Sequence, residues 1–155
     1  MALTVTWQPN VGPPIVFNSV NYPIHDFDPD TEFSDPSLSK MQLAGEWPSF
    51  GYPGAMRIPI EGDILGANGA DFWANRQAFL VACTPPNAEL TARRHGTLTI
   101  ADTDMAEPAW GYCRIIHRMA KLESLSPERC PYLVTFKAFV PYFTGLSSGL
   151  DVLIG

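Results

Sequence analysis

Hydrophobic and polar residues alternate along several short stretches of the chain, as in strands with one buried face. We predict strands at 3–7, 15–20, 56–60, 96–100, 110–119 and 132–143. Fifteen prolines and twelve glycines divide the chain into short elements joined by turns. The pattern therefore favours a mainly β, antiparallel architecture over a helix bundle.

One segment changes from the strand pattern to the helical pattern. A glycine-rich turn follows the strand of 56–60, and Asn68 or Asp71 can cap a helix after it. Apolar residues then recur at helical spacing until two prolines stop the segment. We predict one substantial helix within about 69–83, with three side chains buried against the sheet: Phe72, Phe79 and Leu80.

The length of 155 residues suits a single domain, which we place at 1–155. Most of the net charge of −6 comes from one segment, because residues 1–39 contain five acids and no Lys or Arg. The acids are Asp26, Asp28, Asp30, Glu32 and Asp35. Prolines and serines accompany them, so we predict a long acidic loop at about 26–50. No basic stripe exists that would hold nucleic acid tightly.

The last ten residues, 146–155, form an apolar tail that includes Val152, Leu153 and Ile154. A tail of this kind tends to need cover from elsewhere, and we expect that this tail, or the long region 26–50, docks on a neighbouring subunit or ring. No run of about eighteen apolar residues exists, so we expect no membrane insertion. The N-terminus lacks the basic and apolar regions of a signal peptide.

Candidate chemistry is sparse. Cys113 and His117 would share a strand face, but no third or fourth ligand lies near them in sequence, so we predict no metal there. Three acids at 26, 28 and 30 resemble the start of a calcium loop, yet Thr31 and Ser37 stand where that loop needs Gly and Glu. No nucleophile elbow or phosphate-binding glycine motif is present. We expect no cofactor and no enzymatic activity.

The three cysteines are Cys83, Cys113 and Cys130. Their odd number and the lack of a C-x-x-C spacing favour free, buried thiols over a disulfide framework.

Three segments together resemble a known family. They are the strand, turn and helix of 56–84, the strand of 96–100, and a closing segment rich in aromatic residues. The family's helix carries an Arg and a Leu, matched by Arg76 and Leu80. The closing segment matches at Tyr132, Phe136, Pro141, Tyr142 and Phe143. Over residues 55–145 the chain resembles the N-terminal hub domain of the phage distal tail protein family, which is related to tail-tube proteins.

This resemblance implies a β-sandwich or barrel flanked by one α-helix, the tail-tube-like fold. It implies a structural virion protein that forms a hexameric ring at the distal end of a phage tail and connects the tail tube to the baseplate hub. The implied partners are the tail tube protein, the baseplate hub or tail tip protein, and the tape measure protein. DNA would pass through the lumen without specific binding, and the ring would assemble in the host cytoplasm.

Two alternatives stay open. A tail-tube subunit shares the fold and the ring assembly of the family. A small β-sandwich that binds a glycan or peptide would instead use three aromatic residues as stacking platforms: Trp47, Tyr52 and Trp110.

The charged and apolar segments supply the candidate subunit-interface residues, which are Asp28, Asp30, Glu32, Arg114, Arg118, Val152, Leu153 and Ile154. We predict Arg114 and Arg118 on one strand face, where the acidic loop of an adjacent subunit would pair with them. In the alternative arrangement the acidic loop faces the channel, where its negative charge keeps DNA from binding.

Overall fold

The computed structural model describes residues 3–10, 12–34, 38–39, 46–47, 52–84, 95–122 and 128–154. The strands are β1 (Thr4–Gln8), β2 (Ile15–Phe17), β3 (Ile24–Phe27), β4 (Asp30–Ser34), β5 (Leu38–Ser39), β6 (Glu46–Trp47), β7 (Tyr52–Leu65), β8 (Gly96–Ala101), β9 (Ala109–Ala120), β10 (Arg129–Ala138), β11 (Phe143–Gly145) and β12 (Asp151–Val152). The helix is α1 (Gly69–Ala82).

Ten of these strands form one antiparallel sheet in the order β2-β1-β8-β9-β10-β7-β3. Strand β4 also pairs with β7, β11 pairs with β9, and β12 pairs with β11, while β5 and β6 form a separate pair. The predicted strands at 3–7, 15–20, 56–60, 96–100 and 110–119 all have counterparts in the sheet. The strand of 56–60 is part of a longer one, because β7 runs for 14 residues.

The sheet curves around a core of aliphatic and aromatic side chains. Strands β2 and β10 are not neighbours in the sheet, yet the ring centroids of Phe17 and Phe136 lie 6.2 Å apart. The Trp7 ring on β1 lies 4.9 Å from the same Phe136 ring. Contacts across the interior between distant strands indicate a nearly closed barrel. The predicted fold class, an antiparallel sandwich or barrel with one flanking helix, is confirmed.

Helix α1 begins and ends as its sequence predicts. The Asn68 side chain accepts a hydrogen bond of 3.0 Å from the Asp71 backbone N–H, which caps the first turn. Phe72 and Phe79 are fully buried, whereas Leu80 is only half-buried against the core. The burial prediction is therefore confirmed for both phenylalanines and only partly met by Leu80.

The predicted loop at 26–50 is wrong for its first part. Residues 24–27 and 30–34 form β3 and β4, which both pair with the long strand β7. Phe27 packs on the core and Thr31 is buried, so single inward residues alternate with the exposed acids. Residues 38–39 and 46–47 form β5 and β6, and the rest of 35–50 lies outside the described residues.

The predicted closing strand, 132–143, is divided in two. Strand β10 ends at Ala138 and β11 begins at Phe143, with a turn between them. Pro141 lies in that turn, and a proline has no N–H with which to continue a ladder. Strand β11 then pairs with β9 next to Gly111, where a Cβ atom would lie 2.7 Å from the Phe143 ring.

Candidate functional site

A β-bulge in strand β9 decides where its charged side chains point. Along β10, Phe136 pairs with Ile115 but Thr135 pairs with His117, so Ile116 is an extra residue. The alternation therefore reverses at Ile116, because each added residue moves the following side chains to the opposite face. Arg114 is exposed on the outer face, and Arg118 lies on the other side of the bulge.

The prediction that Arg114 and Arg118 share a face is thus wrong. The Arg118 Nε atom is buried and makes no hydrogen bond. The Arg118 charge also acts on the thiol of Cys83, at the end of α1, and lowers its pKa against the larger, raising effect of burial. Arg118 therefore faces the helix side of the barrel.

The same bulge separates Cys113 from His117. Cys113 is buried and His117 is exposed, so the predicted shared face does not exist and the two cannot bind one ion from that face. Burial raises the pKa of the Cys113 thiol to about 12, which keeps it protonated. All three cysteines are buried free thiols, as predicted. Among the described residues, no cluster of three or more His, Cys, Asp or Glu could hold a metal ion.

A row of basic residues crosses the outer face of the sheet. Lys137 on β10 lies between Arg57 on β7 and Arg114 on β9, directly opposite each in register. Asp30 on β4 is opposite Arg57 at the end of this row. Across the sheet the order of charged residues is therefore Asp30, Arg57, Lys137 and Arg114. Arg57 has an acid on one side, whereas Lys137 has a basic residue on each side.

The acidic segment, which includes the predicted interface residues Asp28 and Asp30, lies at the margin of the same sheet. Asp26, Asp28 and Asp30 are exposed, on or between β3 and β4. Asp26 is directly opposite Glu61 on β7, which is also exposed. The side chain of Glu32 lies outside the described part of the chain, and so do those of Trp47 and Tyr52.

A buried carboxylate that the sequence analysis missed links three strands. Asp63 on β7 accepts hydrogen bonds of 2.5 Å from His25 Nε2 and 2.7 Å from an Arg129 guanidinium nitrogen. Burial raises the pKa of Asp63, but the hydrogen bonds from His25 and Arg129 and their charge outweigh that effect. The pKa therefore lies below its usual value. This cluster ties β3, β7 and β10 together.

The C-terminal tail folds back onto its own chain instead of standing free. Strand β12 pairs with β11, and Glu107 accepts backbone hydrogen bonds of 2.6 Å from Ser147 and 2.9 Å from Ser148. Val152 and Ile154 pack against the core, whereas Leu153 is 78% exposed. Of the three tail residues predicted at the interface, two are therefore packed on the protein's own core, and only Leu153 points outward.

Aromatic side chains line a groove of about 650 Å³ on the outer face. Tyr112 and Phe139 are exposed, and the rings of His95 and Phe139 meet edge to face at 4.8 Å. Trp110, a predicted stacking platform, is half-buried with its ring 5.1 Å from that of Tyr112. The groove therefore supplies exposed aromatic surface at residues that the sequence analysis did not select.

Arg76 and Leu80, which match the Arg and Leu of the family's helix, both contact the barrel. Leu80 packs against the core. The Arg76 guanidinium donates a hydrogen bond of 2.8 Å to the Ala120 carbonyl and lies over the Trp73 ring. Arg76 thereby fastens α1 to the end of β9.

Within the described residues, no helix is long and apolar enough to cross a membrane.

Solved structures of phage proteins share this arrangement of strands and helix. The Dit protein of SPP1, described as a paradigm of the hub adsorption apparatus in phages that infect Gram-positive bacteria, matches with a TM-score of 0.64. The match covers 94% of this chain at 9% sequence identity. This chain has the fold of a phage hub protein. The resemblance predicted from the sequence is confirmed at the level of the fold.

Two further structures with this fold are phage p2 baseplates in the activated conformation, one with strontium and one with calcium. Each matches with a TM-score of 0.53 at 10% identity over 89% of this chain. The chain spans only about half of the matched chains, 53% of the SPP1 protein and 44% of the p2 proteins. No protein-family model matches the sequence, and no curated protein matches it.

Proposed function

We propose that this chain is a structural virion protein of a phage tail, a subunit of the ring that joins the tail tube to the baseplate hub. The observation that carries the proposal is the match to a hub protein over 94% of the chain. A match over 94% of the chain involves most of the barrel and not a single motif. The role is one of assembly and not of catalysis.

The proposed ring is a hexamer around the DNA channel at the tail tip, assembled in the host cytoplasm. Its proposed partners are the tail tube protein, the baseplate hub or tail tip protein, and the tape measure protein. The net charge of −6 suits a lumen through which DNA slides, because a negative lining repels phosphates.

Native mass spectrometry of the purified full chain tests this proposal, together with negative-stain electron microscopy of the same sample. We expect a closed ring of six copies, alone or after addition of the tail tube protein. A chain that stays monomeric at high concentration and does not bind the tube protein would overturn the proposal.

One observation favours a second candidate function, a glycan- or peptide-binding module. The groove beside Tyr112 and Phe139 exposes aromatic surface of the kind that stacks on sugars. Retention of a monomeric chain on a glycan column, lost in Tyr112→Ala, would support this function. A ring without retention supports the tail protein.

A further inference from the structure

The groove on the outer face is formed by residues of three neighbouring strands and by the turn after a fourth. Gln8 on β1 lies directly opposite Thr97 on β8, and Thr97 lies directly opposite Tyr112 on β9. Phe139, which follows β10, lines the groove together with them. The groove therefore carries an amide, a hydroxyl group and two aromatic rings on one surface.

The two exposed rings are supported by other aromatic side chains. The Tyr112 ring stands perpendicular to the Trp110 ring, and the Phe139 ring stands nearly perpendicular to the ring of His95. Edge-to-face contacts of this kind favour one arrangement of each pair of rings. A ligand that stacks on Tyr112 and Phe139 therefore loses less free energy in ordering these side chains than it would on unsupported rings.

The amide side of the groove is ordered by hydrogen bonds. The Gln8 Nε2 atom donates to the Pro9 carbonyl at 2.9 Å and to the Gly12 carbonyl at 3.1 Å, and these bonds hold the turn after β1. Asn10 in that turn lines the groove. The Asn10 amide and the Thr97 hydroxyl can each donate and accept hydrogen bonds. The groove thus combines aromatic surface with uncharged hydrogen-bonding groups.

Charged side chains lie beside the groove but do not line it. Among the described residues that line it, none is Asp, Glu, Lys or Arg. The nearest charge along β9 on this face is Arg114, two positions and about 7 Å from Tyr112, with Lys137 directly opposite Arg114. These two charges repel a cationic ligand.

The other charged residues of this face that are described above lie farther from the groove. They are on β7, along β3 and β4, and at the start of β10, and they comprise Arg57, Glu61, Asp26, Asp28, Asp30 and the cluster of His25, Asp63 and Arg129. Strand β7 is already two strands away from β9, which corresponds to about 10 Å. Stacking and hydrogen bonding, and not ion pairing, therefore decide what the groove can hold.

This combination of groups selects among ligands. A sugar ring can stack its C–H groups on an aromatic ring while its hydroxyl groups bond to amide and hydroxyl side chains. An extended peptide gains affinity by pairing with a free strand edge, whereas β1, β8 and β9 are interior strands of the sheet. The groove volume of about 650 Å³ lies within the range of small-ligand sites, about 300–1,000 Å³. The groove therefore suits a short oligosaccharide better than a peptide.

We propose that this groove binds an uncharged saccharide chain, with sugar rings stacked on Tyr112 and Phe139 and hydroxyl groups hydrogen-bonded to Thr97 and Asn10. The inference rests on the second candidate function, from which it selects the saccharide and rejects the peptide. It does not require a separate binding module, because every copy in a ring carries its own groove.

An array of immobilised, uncharged oligosaccharides tests the proposal with the purified full chain. The array presents oligomers of glucose, galactose, mannose, rhamnose and N-acetylglucosamine, and we expect binding to at least one of them. Isothermal titration calorimetry with the soluble form of the best-bound oligomer then gives the dissociation constant. Tyr112→Ala and Phe139→Ala should each raise this constant at least about fivefold, because each variant lacks one stacking ring.

Three comparisons separate stacking in the groove from other effects. Tyr112→Phe keeps the ring and should bind within about threefold of the wild type. Trp73→Ala is the matched control and should bind like the wild type, since Trp73 is an exposed aromatic residue of α1 that does not line the groove. Raising the salt from about 50 mM to about 500 mM should change the affinity less than about twofold, because charge screening does not weaken uncharged contacts. Far-UV circular dichroism verifies that every variant is folded.

The outcomes for the groove and for the ring differ. A wild type that binds no oligosaccharide of the array overturns the proposed site. Binding that both alanine variants retain, or that high salt abolishes, places the ligand outside the groove and also overturns the site. Native mass spectrometry of the same samples reports on the ring: a ring that binds no oligosaccharide counts against the site alone, whereas a chain that binds one but never forms rings counts against the ring alone.

Discussion

Asp63 joins three strands through side chains that are far apart in the sequence. His25 lies 38 residues before it and Arg129 lies 66 residues after it, so no local pattern connects them. Only the register of β3, β7 and β10 brings the three together. The sequence gives no signal for the cluster, because Asp63 stands on the strand face that also carries Arg57 and Glu61, and of these three only Asp63 is buried.

Replacing Asp63 by Asn should destabilise the fold by about 1–3 kcal/mol, as measured by urea unfolding near neutral pH. The change removes the negative charge and one of the two acceptor oxygens, so the hydrogen bonds from His25 and Arg129 are weakened or lost. Both of these side chains remain exposed to water, which limits the loss. Asp104→Asn is the control, because Asp104 is exposed in a turn, and it should stay within about 0.5 kcal/mol of wild type.

The pKa of Asp63 also predicts how stability depends on pH. Its pKa is lower in the folded chain than the ordinary value of about 3.9, so its contribution is present above that value. The contribution is lost as the pH falls through the folded-state pKa. Acid titration of the unfolding free energy should therefore show a smaller decrease below about pH 4 in Asp63→Asn than in the wild type. Parallel curves for the two proteins would contradict this assignment.

At the scale of elements, the sequence predicts the strands and the helix whose apolar residues recur at a regular spacing. The strands around the barrel and the capped helix α1 follow directly from their periodicity. The bulge at Ile116 was not predictable, because an extra isoleucine beside Ile115 leaves the apolar pattern without a visible break. Strands β3 and β4 escaped prediction because acids and prolines obscure the few inward residues, Phe27 and Thr31.

When side chains of α1 are shortened to alanine, the loss of unfolding free energy should increase with the burial of the side chain. Phe79→Ala should cost about 3–5 kcal/mol of unfolding free energy, since Phe79 is fully buried and contacts the rings of Phe17 and Tyr132. Leu80→Ala should cost less, about 1–2 kcal/mol, because Leu80 is only half-buried. Val81→Ala is the exposed control and should be nearly neutral. A larger loss at Leu80 than at Phe79 would contradict this placement of the helix.

The tie between Glu107 and the turn of 145–149 should control the local stability of the C-terminal hairpin. Glu107→Ala removes the acceptor of both serine N–H groups, so amide exchange of Thr144 and Val152 should accelerate while α1 remains protected. Hydrogen bonds from Ser148 and Ser147 lower the pKa of Glu107, so the tie should persist until the pH falls through that lowered value. Uniform acceleration across the chain would contradict a local role.

At the scale of the molecule, the sheet joins distant parts of the chain. Strand β1 pairs with β8, and β7 pairs with β10, so neither half of the sequence forms a complete barrel. We expect one cooperative unfolding transition, in which tryptophan fluorescence and far-UV circular dichroism give coincident midpoints. Two separated transitions would show that the barrel and the C-terminal hairpin unfold independently.

The C-terminal tail allows a last test, because Val152 packs on the core while the next residue, Leu153, faces outward. Leu153 is 78% exposed, and Leu146 and Leu150 in the same hairpin are exposed as well. We expect Leu153 to be covered when subunits assemble, because contact between subunits buries exposed apolar surface. Leu153→Asp should therefore weaken assembly into rings while the unfolding free energy of the monomer changes by less than about 0.5 kcal/mol. Val152→Asp should instead destabilise the monomer by about 1–3 kcal/mol, since Val152 packs on the core.

Native mass spectrometry and urea unfolding on the same samples distinguish the two effects. Rings that form equally well with Leu153→Asp would exclude the exposed side of the tail from the subunit contact.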